Sequence, residues 1–203
     1  MLAGSCDASI GVLAGIEDRS RCGVIWVDAH GDFNTPESTE SGFFPGMSLA
    51  VVTGHCYQRM WGRMGNAAPV PERMVLMLGV RDLSPITERK RLEASRIEVV
   101  SWEGGRPAGD VGRSIEELAA RVDEVYLHVD NDALDPAVAP GVSDVPAPGG
   151  LSLEQLEDAI RTVASQMRIR AASLTNFNPA RDDGDRTLEA GLRIMGAIGS
   201  ALT

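Results

Sequence analysis

Residues 23–36 read GVIWVDAHGDFNTP and residues 125–136 read VYLHVDNDALDP. Each stretch opens on a short, continuous run of β-branched and apolar residues and then turns abruptly acidic. Such runs are expected of strands covered on both faces, as in a parallel sheet. Three more runs fit the same description: Met74–Val80, Ile97–Ser101 and Ala171–Thr175. Amphipathic segments separate them, and strand alternating with helix predicts an α/β fold with a mainly parallel sheet.

Helix starts are expected at three places. Ser114 with Glu117, and Ser152 with Gln155, have the spacing of capping boxes, the second before Leu156, Ile160, Val163 and Met167. Ser84 before Pro85 reads as an N-cap with proline at the first helical position. Leu188, Leu192, Met195 and Ile198 make a final apolar stripe, and the glycine-rich stretch from Gly104 to Gly109 reads as a surface loop. With no repeat and no linker, residues 1–203 are expected to form one domain.

Hydrophobic residues make up 43% of the chain but aromatics only 4%, which predicts an aliphatic core. The formal net charge of -10 argues against nucleic-acid and anionic-membrane partners. Three cysteines, Cys6, Cys22 and Cys56, make no disulfide framework. With no basic-then-apolar leader and no transmembrane run in the sequence, a cytoplasmic location is expected.

In parallel sheets, ligand sites collect at the carboxyl ends of strands. There lie Asp28, His30 and Asp32 after the first run, and Asp130 and Asp132 after the second. Alternate positions on an extended segment share a side, so each cluster gathers its side chains. Carboxylates that converge repel one another and require a cation. Oxygen donors with one imidazole suit manganese, with zinc, iron, cobalt and nickel as competitors. Two such ions about 3.5–4 Å apart can share a water and bring its pKa toward neutrality. For either cluster alone, a turn or helix cap is an equal reading; the recurrence after two strands favours metal. Asp135-Pro136 reads as a turn.

The segment Asp28–Pro36 resembles the DAHxDxN motif of the ureohydrolases, the arginase, agmatinase and formiminoglutamase family. Asp130–Pro136 with Ala139-Pro140-Gly141 resembles their DxDxxDP motif, and Gly79-Val80-Arg81-Asp82 their G-x-R-D stretch. The resemblance implies a three-layer arginase-like fold and two manganese ions per chain. It implies that Asp28 and Asp130 bridge the ions, that His30 and Asp132 serve one of them, and that Asp32 serves the other and contacts a bridging hydroxide. The implied reaction is hydrolysis of a C–N bond in a guanidino, amidino or formimino compound, by a homo-oligomer.

Four departures accompany the resemblance. Cys6 stands where the family carries a histidine ligand; it is either a thiolate ligand or a small buried residue with water in the ligand's place, and Asp7 could also substitute. Pro45 replaces a proton-shuttling histidine. His128 could stand in for it but is read as a core or supporting residue, and His55 as surface. Asn176 replaces the guanidinium-binding glutamate, whereas Asn34 and Ser41 match positions near a substrate α-carboxylate. These three are the expected substrate contacts, and a turn and an N-cap are the plain alternatives for Asn34 and Ser41. Finally, the family's first strands have no counterpart before Leu2–Ser9, so the sheet is expected to show an open edge. The rival to an enzyme is a non-catalytic relative that binds metal or a metabolite.

Overall fold

A computed structural model describes residues 1–64 and 68–202. The chain runs α1 (Ala8–Gly15), β1 (Cys22–Val27), α2 (Ser48–Val52), α3 (Gln58–Trp61), β2 (Val75–Leu78), α4 (Ile86–Ala94) and β3 (Glu98–Val100). A small hairpin of β4 (Trp102–Glu103) and β5 (Arg106–Pro107) follows. Then come α5 (Val111–Ala119), β6 (Glu124–Asp130), α6 (Leu153–Gln166), β7 (Arg168–Thr175) and α7 (Arg186–Ala201).

The main sheet has the order β3-β2-β1-β6-β7, and every pair in it is parallel. From β1 the chain winds outward to β2 and β3, then crosses back to lay β6 on the other side of β1. The winding direction therefore reverses between β1 and β6, the position where open α/β sheets place their ligand sites.

Helices cover both faces. Side chains alternate along each strand, so Ile25, Val27, Leu127 and Val129 pack toward α5, α6 and α7. Trp26 and Tyr126 pack the other way, with Leu13 of α1 and Leu49 of α2. This parity matters for the site: Asp28, His128 and Asp130 share the register of Trp26 and Tyr126, so they face the α1 and α2 side. The core is mostly aliphatic, but all three tryptophans, Tyr126 and Phe33 are also buried in it. Low aromatic content limited their number without keeping them out of the interior.

The predicted strands all form. The capping box at Ser152 and Gln155 is present with both hydrogen bonds. The one expected at Ser114 is not: α5 starts earlier, and Asp110 caps it by accepting from the amide of Arg113. Ser114 is buried inside the helix. Helix α4 begins at Ile86 with Pro85 in the cap position, one residue later than expected, because Pro85 itself is extended at ψ 178 rather than helical. The stretch 104–109 holds the turn and second strand of the hairpin rather than an irregular loop. In α7 the buried face carries Thr187, Ala190, Gly191, Ile194 and Ile198, whereas Leu188 and Leu192 are exposed. The leucine spacing was read as the core stripe, but small residues let α7 approach the sheet on its neighbouring face.

Candidate metal centre

Asp28 directly follows β1 and Asp130 ends β6, and both make the same turn. Asp28 Oδ1 accepts from the His30 amide at 2.8 Å, and Asp130 Oδ1 accepts from the Asp132 amide at 2.7 Å. Each turn throws the next residue but one back over the strand end. His30 Nδ1 then lies 3.1 Å from Asp132 Oδ2 and 3.5 Å from Asp28 Oδ1, which joins the two strand exits.

A second grouping lies deeper. Cys6, just before α1, places its Sγ 3.1 Å from Asp130 Oδ2 and 3.7 Å from Asp28 Oδ2. His128 Nε2 lies 3.9 Å from Asp28 Oδ2. Cys6, Asp28, His128 and Asp130 offer ligand atoms all within 4.8 Å of one another, as do Asp28, His30 and Asp132. Asp28 belongs to both sets.

Asp32 is buried on the rim and falls in neither set. Its backbone sits at φ 46, in the left-handed region that aspartate tolerates better than most residues. Its carbonyl accepts the first amides of α2, from Leu49 and Ala50, which fixes that conformation. Its Oδ2 is buried without a partner.

Other residues hold the carboxylates in place. Asn176, also at positive φ (64), donates from Nδ2 to Asp130 Oδ1 at 2.9 Å and to Asp132 Oδ2 at 3.1 Å. Its Oδ1 accepts from the Ser143 amide. The Trp26 indole N–H donates to Asp28 Oδ2, the Thr175 hydroxyl to Asp130 Oδ2, and the Ala29 amide to Asp132 Oδ1. The Arg81 guanidinium donates to the carbonyls of Asp132, Ala133 and Leu134 at 2.8–3.0 Å and clamps the β6 exit. Gly79, at φ 96, lets that segment pass close under the Asp28 carbonyl, where a Cβ would meet it at 3.2 Å.

Electrostatics mark the cluster as lacking positive charge. Burial, then the Asp132 charge, pushes Asp130 up to about 7; burial, then Asp28, pushes Asp132 up to about 6. Asp28 and Asp32 are also raised, by burial first. Burial opposes the charged form of His30, but its hydrogen bonds to the Asp132 and Asp28 carboxylates outweigh this and raise the imidazole to about 12. His128, fully buried, is held down to about 3 and is therefore neutral. Four carboxylates this close, with the buried Nε2 of His128 and Oδ2 of Asp32 left unpaired, fit a site for divalent cations.

The centre opens on a cleft of about 650 Å³ whose wall includes Asn34, Ser41, Pro45, Glu88 and Asn176. Asn34 uses both ends of its amide, donating to the Ser84 carbonyl and accepting from Ser38 Oγ. Ser41 is exposed and accepts from the Phe43 amide. Pro45 faces the cleft where a proton carrier was sought. His55 bridges Glu72 and Arg91 on the surface, away from the cluster. Asp135 is structural: Oδ2 accepts from the amides of Gly149 and Gly150.

His128, expected as a core or supporting residue, offers its Nε2 among the candidate ligand atoms, and one further group escaped the sequence reading. Glu88 lines the cleft, buried and raised by that burial to about 7, with Oε1 accepting from the Phe33 amide. It lies in the first turn of α4, the helix that follows β2.

Together the fold and this cluster define a parallel α/β chain whose switch point carries a cluster of side chains able to hold metal. The sequence model of the arginase family matches residues 1–199. The arginase of Bacillus caldovelox is 34% identical over 203 residues, a match covering 98% of this chain and 67% of that protein. Its crystal structure superposes with a TM-score of 0.86. The arginase of Bacillus subtilis is 32% identical, over 98% of this chain and 67% of its own length. The Bacillus cereus arginase structure, 33% identical, gives a TM-score of 0.84 and covers 97% of this chain and 69% of that one. The chain belongs to the arginase family, and it spans about two thirds of the length of these relatives.

Proposed function

We propose that this chain hydrolyses a C–N bond in a small guanidino, amidino or formimino compound, with two divalent ions, manganese in the first instance, held by Asp28, His30, Asp32, Asp130 and Asp132. The observation that carries the reading is the convergence of these carboxylates, with unpaired buried donors, at the floor of a cleft. When bound, the ions would supply an activated water and a Lewis acid for the substrate.

The residues themselves account for the rest. Asp28, shared by both ligand sets, is the natural bridge. Asn176 and Trp26 orient the carboxylates by donating to them, Asn176 to Asp130 and Asp132 and Trp26 to Asp28. Asp32, with one free oxygen at the rim, is placed to accept a hydrogen bond from the attacking water. Ser41 and Asn34 on the wall are assigned to a substrate carboxylate. Asn176 is engaged by Asp130 and Asp132, so it acts through them and a full guanidinium loses its carboxylate partner there. This favours a substrate whose reacting group carries less charge than guanidinium. The three buried free cysteines suit a reducing cytoplasm. The exposed Leu188 and Leu192 on α7 are in keeping with a homo-oligomer.

The test is turnover of a panel of guanidino, amidino and formimino substrates by manganese-loaded protein, beside its Asp130→Asn variant. Turnover that disappears in the variant is expected. The rival reading, a non-catalytic relative, draws on Pro45 in the cleft, and it predicts thermal stabilisation by metal with no turnover of any substrate.

A further inference from the structure

The inner ligand set differs in kind from the outer one. Asp28, His30 and Asp132 offer two oxygens and an imidazole, whereas the inner four set the sulfur of Cys6 and the fully buried nitrogen of His128 beside two oxygens. We propose that Cys6 and His128, with Asp28 and Asp130, form a four-donor site for a borderline-soft divalent ion of the zinc, cobalt or ferrous class, beside a harder outer site. This deepens the metal-dependent reading above and rests on it.

The imidazole carries the argument. His128 is completely buried, and its Nε2 has no hydrogen-bond partner. Its other nitrogen, Nδ1, lies 3.1 Å from Ser173 Oγ, which in turn bonds the Tyr126 hydroxyl. When Nδ1–H donates to Ser173, the lone pair is left on Nε2, on the side of Asp28. The ring is held from its face as well, stacked on Trp26 at 3.8 Å and 25°. The same Trp26 donates to Asp28 Oδ2 at 3.2 Å, so one side chain orients two of the four donors. This is how metal-binding histidines are usually prepared: the outer nitrogen is tied and the inner one left bare. A histidine kept only for packing would leave a buried nitrogen permanently unsatisfied.

The spacing agrees. Donors about 2.0–2.3 Å from a tetrahedral ion lie roughly 3.3–3.8 Å from one another. The observed separations are 3.1 Å from Cys6 Sγ to Asp130, 3.7 Å from Cys6 Sγ to Asp28, and 3.9 Å from His128 Nε2 to Asp28. A thiolate with an imidazole favours zinc, cobalt or ferrous iron over manganese.

The experiment uses the whole chain, loaded anaerobically with cobalt(II) and separately with zinc(II). Expected are two ions per chain, an intense near-ultraviolet thiolate-to-cobalt absorption, and a sulfur shell in X-ray absorption at the zinc edge. Cys6→Ser should abolish the thiolate band. His128→Phe, which keeps a ring on Trp26, should weaken the inner ion's binding by at least about 10–100-fold, the loss typical of supporting residues alone, and leave one ion per chain. X-ray absorption on the unaltered protein needs no variant to fold, so lack of a sulfur shell overturns the proposal by itself. Two ions retained at full affinity in folded His128→Phe overturn it also. In both cases two manganese ions on the unaltered chain would leave the parent reading standing, whereas a chain that binds no divalent ion at all overturns both.

Discussion

The exits of β1 and β6 make the same aspartate turn, yet the two sides of the cluster they build face different surroundings. The His30 side chain remains 26% exposed at the cleft, held between Asp132 and Asp28. Toward α1, Cys6 and His128 close over the opposite oxygens of Asp28 and Asp130 and are buried. His128 is thus shut off from solvent, whereas His30 stands at the cleft that Cys6, Asp28 and Asp130 also line. The comparison also explains why Asp28 matters most: it is the one residue in both ligand groupings.

That makes Asp28→Asn the variant with the largest expected effect. It should remove both ions, and activity should fall by well over the roughly 100-fold typical of supporting residues. Elemental analysis of the purified variant checks this; retention of either ion at full occupancy would break the idea of a shared bridge. Asn176→Ala comes next. It removes two hydrogen bonds to Asp130 and Asp132 without removing a ligand, so metal affinity should drop about 10–100-fold while saturating metal restores content. A loss of guanidino-substrate affinity with unchanged metal affinity would instead make Asn176 a substrate contact.

The pH dependence of stability sharpens the comparison further. The folded chain holds Asp130 near 7 and Asp132 near 6, with Asp28 and Asp32 also raised, against about 3.9 in the unfolded chain. Between about pH 4 and 7 the metal-free folded state therefore binds more protons than the unfolded state, so its stability falls as pH rises. Glu88, raised to about 7, adds to this sense, and His128, held at about 3 against about 6.5 unfolded, acts in the opposite one. Bound cations replace those protons, so the loaded protein should gain stability with rising pH. Melting curves at pH 4.5 and 7.0, with chelator and with metal, should slope in opposite directions; parallel slopes would show that the acids are compensated by something other than metal.

Much of this was visible in the sequence because it depends on local rules. Runs such as Gly23–Val27 and Val125–Val129 announce buried parallel strands, and an acid cluster after each announces the strand ends that meet. The resemblance already set Cys6 beside Asp28 and Asp130, but the place of His128 among them was not legible, because only the β1–β6 register brings it to Asp28. Asn176 shows the same limit: the resemblance assigned it to substrate, but the left-handed turn after β7 swings its amide onto Asp130. In α7 the spacing of Leu188 and Leu192 suggested the buried face, while packing depended on Ala190 and Gly191 beside them. Helical periodicity identifies a helix more reliably than it says which of two adjacent faces meets the sheet.

Ser41 offers the smallest effect and the finest test of the open face. It is exposed, and among the described residues its hydrogen-bond partners are the Phe43 amide, which donates to it, and the Thr39 hydroxyl. Ser41→Ala therefore leaves no buried group unsatisfied and should shift neither the melting temperature nor the metal content. If its hydroxyl also donates to a substrate carboxylate, the lost hydrogen bond of about 0.5–1.5 kcal/mol should raise KM some two- to tenfold with kcat little changed. The same substitution should leave the KM of a substrate without a carboxylate unaffected. Equal changes for both substrates would mean that Ser41 shapes the loop rather than reads the ligand, and that the cleft's specificity comes from elsewhere on its wall.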